Sequence, residues 1–295
     1  MTRRVGERQW DGTTFGSGRM HRWLITMLRL VDIRLLYAFS YVFVVPPSMF
    51  REGYGHMCRF FRKAFGYGAL RACWMAYKNH CMFSQVVIDR FAMYAGKRFE
   101  ISTEGLETFN RLAGQESGFV ILSSHVGNYE IAGYSLDSDK KPINALVYFG
   151  EKASVMENRR KMFEHTGNQM ILVREDMSHL FEIDQALTRG EIVSIPADRV
   201  WGSQKTIRKP FFGHEARFPM GPFSVATMRG LDVVSIFVMK TSSRHYLIHV
   251  LPLAYDKEAP RREQTSQLAG AYVTALESIV RRYPTQWYNY FDFWI

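Results

Sequence analysis

At 295 residues and 47% hydrophobic content the chain can bury a sizeable core in one large α/β domain or two small ones, which excludes a disordered protein. Its three cysteines, Cys58, Cys73 and Cys81, lack the paired spacing of a zinc site or a CxxC motif and read as reduced packing residues facing a cytoplasm. The net charge of +10 is concentrated at one end: residues 1–63 carry eleven Lys/Arg against four Asp/Glu, and the uncharged run LLYAFSYVFVV in that stretch favours an anionic lipid surface over nucleic acid.

Residues 1–20 are polar and glycine-rich and read as a loose arm. Residues 21–95 are rich in aromatics, Met and Arg, with apolar positions at helical spacing, so the first unit, residues 1–95, is expected to be a basic, aromatic helical region. Within it the apolar run from Leu35 to Phe50 contains Pro46 and Pro47 and falls short of the about 20 residues that cross a bilayer. Residues 22–50 are therefore expected to form an amphipathic segment, interfacial or shallowly inserted in a membrane, with Trp23 in the interface and Arg19, Arg22, Arg29 and Arg34 against anionic head groups; a buried helix of a soluble protein is the alternative.

From about residue 97 the texture changes. Residues 119–124, 143–149, 170–173, 192–197, 233–239 and 246–253 are short apolar, β-branched runs that predict strands, and SVMENRRKMFEHTG, MSHLFEIDQALTRG and GPFSVATMRG between them have helical patterns. The second unit, residues 96–295, is thus expected to be an α/β domain with a mainly parallel central sheet and helices on both faces. Ligands bind such sheets beyond the carboxyl ends of the strands, which directs attention to SSHVGNYE after FVIL and to DRVWG after IVSIPA.

His125 stands at such a strand end, in a turn with Gly127 and Asn128, and Glu130 follows in the first helical turn. An imidazole there can take a proton from an attacking hydroxyl near neutrality, and Glu130 could accept the other ring N–H. A histidine and a carboxylate five residues apart are equally compatible with a structural histidine. No HExxH, GxSxG, GxGxxG or P-loop motif is present, so metalloprotease, serine-hydrolase and nucleotide-binding signatures are missing.

SSHVGNYE resembles the His-x4-Asp/Glu block of the lysophospholipid acyltransferase superfamily, in the branch of the lipid A biosynthesis (lauroyl/myristoyl-type) acyltransferases. PADRVWG and PFFGHEARFPMG resemble that branch's Pro-x-Asp-Gln-x-x-Gly and Phe-Phe-Gly-x-x-Ala-x-x-Pro-x-Gly blocks, and RRYPTQWYNYFDFW its Tyr/His-Pro-x-Gln-Trp/Tyr segment. The resemblance implies His125 as general base and Glu130 as its partner, acting on a lipid hydroxyl that attacks an acyl thioester. It implies acyl carrier protein or acyl-coenzyme A as donor, no metal and no further cofactor, a membrane lipid such as a lipid A precursor or lysolipid as acceptor, and a site at the cytoplasmic face of the inner membrane.

Asp198 and Arg199, the latter where the family usually has Gln, are expected near the acceptor head group together with Asn128. Arg159, beside Arg160, and Arg174 are candidates for pairing with a substrate phosphate or carboxylate. Phe211, Phe212 and Phe218 fit an acyl groove or plain core packing equally. NYFDFW replaces the family's basic His-Arg-Arg-Phe ending, which detaches the acceptor from lipid A itself. Two alternatives remain open on these residues: a non-catalytic lipid-binding protein of the same fold, and a thioesterase.

Overall fold

The computed structural model describes residues 18–136, 141–148, 156–157, 160, 167–174, 176–200 and 205–294. Its N-terminal part is helical: α1 (Gly18–Leu30), α2 (Ile33–Phe39), a π-helical turn (Ser40–Val44), α3 (Val45–Ser48), α4 (Glu52–Phe65) and α5 (Ala69–Tyr94). Pro46 and Pro47 donate no backbone hydrogen bond, and the helical ladder widens to π just ahead of them. Helix α4 stops at Gly66, whose left-handed backbone (φ 65°) closes the helix and starts the turn into α5.

The remainder runs β1 (Glu100–Glu104), α6 (Leu106–Ala113), β2 (Phe119–Ser123), α7 (Tyr129–Ser135), β3 (Ile143–Tyr148), β4 (Gln169–Val173), α8 (His179–Thr188), β5 (Ile192–Pro196), β6 (Thr206–Phe211), β7 (His214–Pro219), α9 (Gly221–Met228), β8 (Val233–Lys240), β9 (His245–Leu253) and α10 (Arg261–Arg282). Seven strands form one sheet in the order β1-β9-β8-β2-β5-β3-β4, parallel throughout except for the β8–β9 pair. Both faces of this mainly parallel sheet are covered, as expected. Phe119 and Ile121 of β2 pack with Phe109 and Leu112 of α6 and Ile131 of α7, while Val120 and Leu122 face a cluster with Ile183 and Ala186 of α8 and Leu268 and Leu276 of α10. This is the period-two alternation of a strand buried on both sides.

All six predicted strands are present. The helix expected over SVMENRRKMFEHTG falls largely outside the described residues. Strand β1, helix α10 and the strands β6 and β7 carry no local signal of the kind used above. β1 is polar and mostly exposed, α10 opens on the polar run RREQTSQ, and β6–β7 is a hairpin closed by Phe212 and Gly213, both at positive φ (53° and 75°) as a two-residue turn requires.

The helical region is built onto the sheet domain. Met57, Phe60 and Phe61 of α4 and Ala72 and Ala76 of α5 share one apolar cluster with Phe237, Phe211 and Trp287. Helices α1 and α2 pack through Leu28, Ile33 and Tyr37 on Ile88, Phe91 and Ala92 of α5. The opposite side of this segment is open: Leu35, Phe39, Val42, Phe43 and Phe50 are each more than half exposed. Among the described residues no single helix is long and apolar enough to cross a membrane. Ile33–Ser48 with Gly53–Phe65 reaches that length and composition only as a pair bent by 94°.

Candidate active site

Strand β2 ends at Ser123, and the next residues are fixed from two sides. Gly127 N–H donates to the Gln286 carbonyl (2.7 Å), Asn128 N–H to the Val238 carbonyl of β8 (2.8 Å), and Tyr288 N–H to the His125 carbonyl (3.1 Å). The path requires glycine at 127: its φ is +62°, and a Cβ there would stand 1.9 Å from the Val238 oxygen. His125 is thereby held between β8 and the segment after α10.

The carboxylate that meets His125 is Asp198. Its Oδ1 accepts from Nδ1 of the ring at 2.8 Å and its Oδ2 from the His125 backbone N–H at 2.9 Å. The contact follows from sheet register. Phe119 pairs with Ile192 and Ser123 with Pro196 in the parallel β2–β5 ladder, so two residues past each strand end His125 stands beside Asp198. Asp198 is 1% exposed and the His125 side chain 26% exposed, so the carboxylate is covered and the ring is reachable. Because the carboxylate only accepts, Nδ1 carries the proton and Nε2 is the free basic nitrogen.

Two sequence expectations change here. Glu130 does not occupy the ring nitrogen of His125; it lies 3% exposed on α7, in an ion pair with Arg90 of α5 (3.0 Å) and 3.5 Å from the Tyr94 hydroxyl. Five residues of loop and helix start turn its side chain toward α5 instead of β5. Asp198, expected near an acceptor head group, is packed against His125. Burial raises the Asp198 pKa, but the charges of His125 and Arg199 and the hydrogen bonds from His125 outweigh it, and the group stays below the usual aspartate value. Burial, then the Arg199 charge, lower the His125 pKa against the opposing pull of Asp198, which keeps the ring neutral near pH 7.

Arg199 does accompany the pair. Its guanidinium donates to the Tyr288 carbonyl and stands 5.6 Å over the Phe291 ring. Asn128 is 1% exposed, and its amide nitrogen reaches the Tyr246 hydroxyl at 3.4 Å, which places it in a buried network rather than on an open surface. In that network Asp89 of α5 accepts from Lys240 of β8, Tyr246 of β9 and Tyr37 of α2, and the Lys240 ammonium is 3.1 Å from the Tyr37 oxygen. The Lys240 main chain is in turn clamped by the Gln286 side chain, N–H to Oε1 at 2.9 Å and carbonyl to Nε2 at 2.8 Å. A paired charge sealed in the core thus supports both strands under the His125 loop.

Arg174 is not brought to His125. It is exposed at the end of β4, paired with Glu182 (2.9 Å), and β4 is three strands from β2, on the order of 14 Å at the usual strand spacing. Arg159 lies outside the described residues, and neighbouring Arg160 forms a surface pair with Glu157. Phe211, Phe212 and Phe218 are buried, ring against ring with Trp287, Phe293 and Phe60; they are core. Among the described residues no group of three or more His, Cys, Asp or Glu side chains is placed to hold a metal ion.

The chain matches the family described as bacterial lipid A biosynthesis acyltransferase over residues 85–294, from the middle of α5 to the last described residue. It belongs to that family. The protein is accordingly an acyltransferase of lipid biosynthesis. Among solved structures the acyltransferase is similar to the 1-acyl-sn-glycerophosphate (LPA) acyltransferase PlsC from Thermotoga maritima, at 13% identity and a TM-score of 0.39, covering 91% of this chain and 98% of that one. No curated protein sequence matches the chain. Of the residues that support the His125 loop, Arg90, Asp89 and Lys240 were not singled out by sequence, each being an ordinary helix or strand position until the fold assembles it, whereas Gln286 is the Gln of the YPTQW block.

Proposed function

We propose that the protein is a membrane-associated O-acyltransferase that moves a fatty acyl group from a thioester of acyl carrier protein or coenzyme A to a hydroxyl of a membrane lipid. The single observation that carries the mechanism is the 2.8 Å contact of Asp198 with His125 Nδ1 at a partly open strand end. In this reading His125 Nε2 takes the proton of the lipid hydroxyl as its oxygen attacks the thioester carbonyl. Asp198 fixes the tautomer and stabilises the imidazolium. The thiolate leaves and receives the proton as the carbonyl reforms. Arg199 lies close enough to influence His125, and its positive charge favours the anionic groups of donor or acceptor. Glu130 with Arg90 sets the start of α7 behind the base. The chemistry uses no metal or further cofactor.

The placement at the cytoplasmic face of an inner membrane rests on the exposed apolar side chains of α2 to α3 and the exposed Arg29 and Arg34 beside them. The acceptor is best described as a membrane lipid, since the basic ending of the lipid A enzymes is replaced here by NYFDFW.

Acyl transfer from both thioesters to extracted membrane lipid, measured with wild type and His125→Ala, tests the reading. Loss of the general base should cost on the order of 10²–10⁴-fold in rate. A variant with full activity would remove His125 from the mechanism. Fatty acid release without any acylated lipid would replace transfer by thioester hydrolysis.

A further inference from the structure

The sequence gives no reason to link Cys58 and Cys73, yet the α4–α5 hairpin places their sulfurs 3.3 Å apart. The two helices are locked in register beside them: Tyr54 of α4 donates through its hydroxyl to the Cys73 carbonyl (2.7 Å), and Phe61 stacks on Tyr67 at the turn. Cys58 is half-buried and Cys73 exposed, so one thiol is reachable and the other waits behind it. Cys73 opens onto a depression of about 370 Å³ whose other walls are Met49, Tyr54, Leu70, Trp74 and Tyr77, an almost wholly apolar lining. Cys81, just over two turns further along α5, is buried and stands apart from this pair.

We infer that Cys58 and Cys73 are a disulfide-forming modification site, oxidised by an organic hydroperoxide that reaches Cys73 through the apolar depression. The Cys73 thiolate attacks the terminal peroxide oxygen. The O–O bond breaks, and the alkoxide leaves with a proton as an alcohol, giving a sulfenic acid on Cys73. The Cys58 sulfur then attacks that sulfur, the S–S bond forms, the S–O bond breaks, and hydroxide leaves as water with the Cys58 proton. Two thiols lose two electrons and one hydroperoxide becomes an alcohol and water. The order of events suits the pair, because burial and the hydrogen bond with Cys73 push the Cys58 thiol up to about 12, so that Cys58 resolves instead of initiating. The supply of such an oxidant from oxidised acyl chains rests on the membrane contact proposed above; the dithiol chemistry does not.

The test uses the reduced full-length protein in detergent, without membranes, so its outcome is independent of membrane docking and of acyl transfer. Cumene hydroperoxide or hydrogen peroxide is added, and free thiols are counted after denaturation. Wild type and Cys81→Ser are expected to lose two thiols, to yield a peptide cross-linking residues 58 and 73, and to recover both thiols with dithiothreitol. Cys58→Ser should stop at a sulfenic acid that dimedone traps on Cys73, and Cys73→Ser should resist oxidation. Cumene hydroperoxide should react several-fold faster than hydrogen peroxide. Three remaining thiols, or a cross-link through Cys81, would overturn the site. Equal rates for the two oxidants would overturn the assignment of an organic hydroperoxide.

Discussion

In the segment from α2 to α3, Leu35, Phe39, Val42, Phe43 and Phe50 present their apolar side chains outward, whereas around His125 the residues Val126, Asn128 and Asp198 are almost entirely buried, and hydrogen bonds of His125, Gly127 and Asn128 tie the loop to β8, to Asp198 past β5 and to the segment after α10. The first region is a surface on which no single side chain sets the geometry. The second is a loop whose shape is determined several times over. Catalytic geometry depends on fractions of an ångström, and the proposed site lies where β2, β5, β8 and the segment after α10 all constrain it. A docking surface needs only enough apolar area and positive charge in roughly the right place.

The comparison is tested hardest at Asp198. Asp198→Ala should lower kcat/KM on the order of 10²–10⁴-fold with the fold intact by circular dichroism, whereas Glu130→Gln should lose much less. The reverse order, measured in the same acyl-transfer assay, would return the role of His125's partner to Glu130. Glu130→Ala acts on stability instead: it removes the carboxylate paired with Arg90, 8% exposed, and urea unfolding should show a loss of about 3–5 kcal/mol. Gly127→Ala meets both a left-handed backbone and the Val238 oxygen, and should cost about 3 kcal/mol in the same measurement. A substitution without effect would show that the loop is softer than its hydrogen bonds imply.

Smaller effects follow from charge. With the neutral ring as the proposed base and its pKa lowered, the acid limb of the kcat/KM profile should fall below the 6.5 of free imidazole. Arg199→Gln removes a charge that lowers this pKa, so it should move the limb to higher pH; a shift to lower pH would contradict the site's electrostatics. At the proposed docking surface Arg29→Glu and Arg34→Glu should each weaken binding to anionic vesicles by at least about 1 kcal/mol, roughly fivefold, with little change in unfolding midpoint. Unchanged vesicle sedimentation would separate the apolar surface from any electrostatic role.

Much of the sheet was legible because buried parallel strands are short apolar runs. FVILS and VVSIFVMK carry their own signal, and the position of His125 just past one of them is a local fact. Strand β1, EISTE, was not legible, because an exposed edge strand has no apolar side to reveal it. The hairpin β6–β7 was visible only as the motif PFFGHEARFPMG, since its Phe-Gly turn gives the second left-handed position to glycine but the first to a residue that rarely takes it. In the same way PFFG suggested an acyl groove as readily as core, and only packing showed Phe211 and Phe218 closed in on all sides.

By itself the sequence determined the α/β class, six of the seven strands of the main sheet, the histidine and the family to which its motifs point, all of which rest on composition, short-range periodicity and contiguous blocks. Tertiary structure alone decided that Asp198 and not Glu130 holds the ring, that Lys240 and Asp89 form a buried pair beneath it, and that Cys58 lies against Cys73. These are pairings across 73, 151 and 15 residues. They are set by strand register and helix packing, and register depends on hydrogen bonds between segments that no local pattern in either segment records.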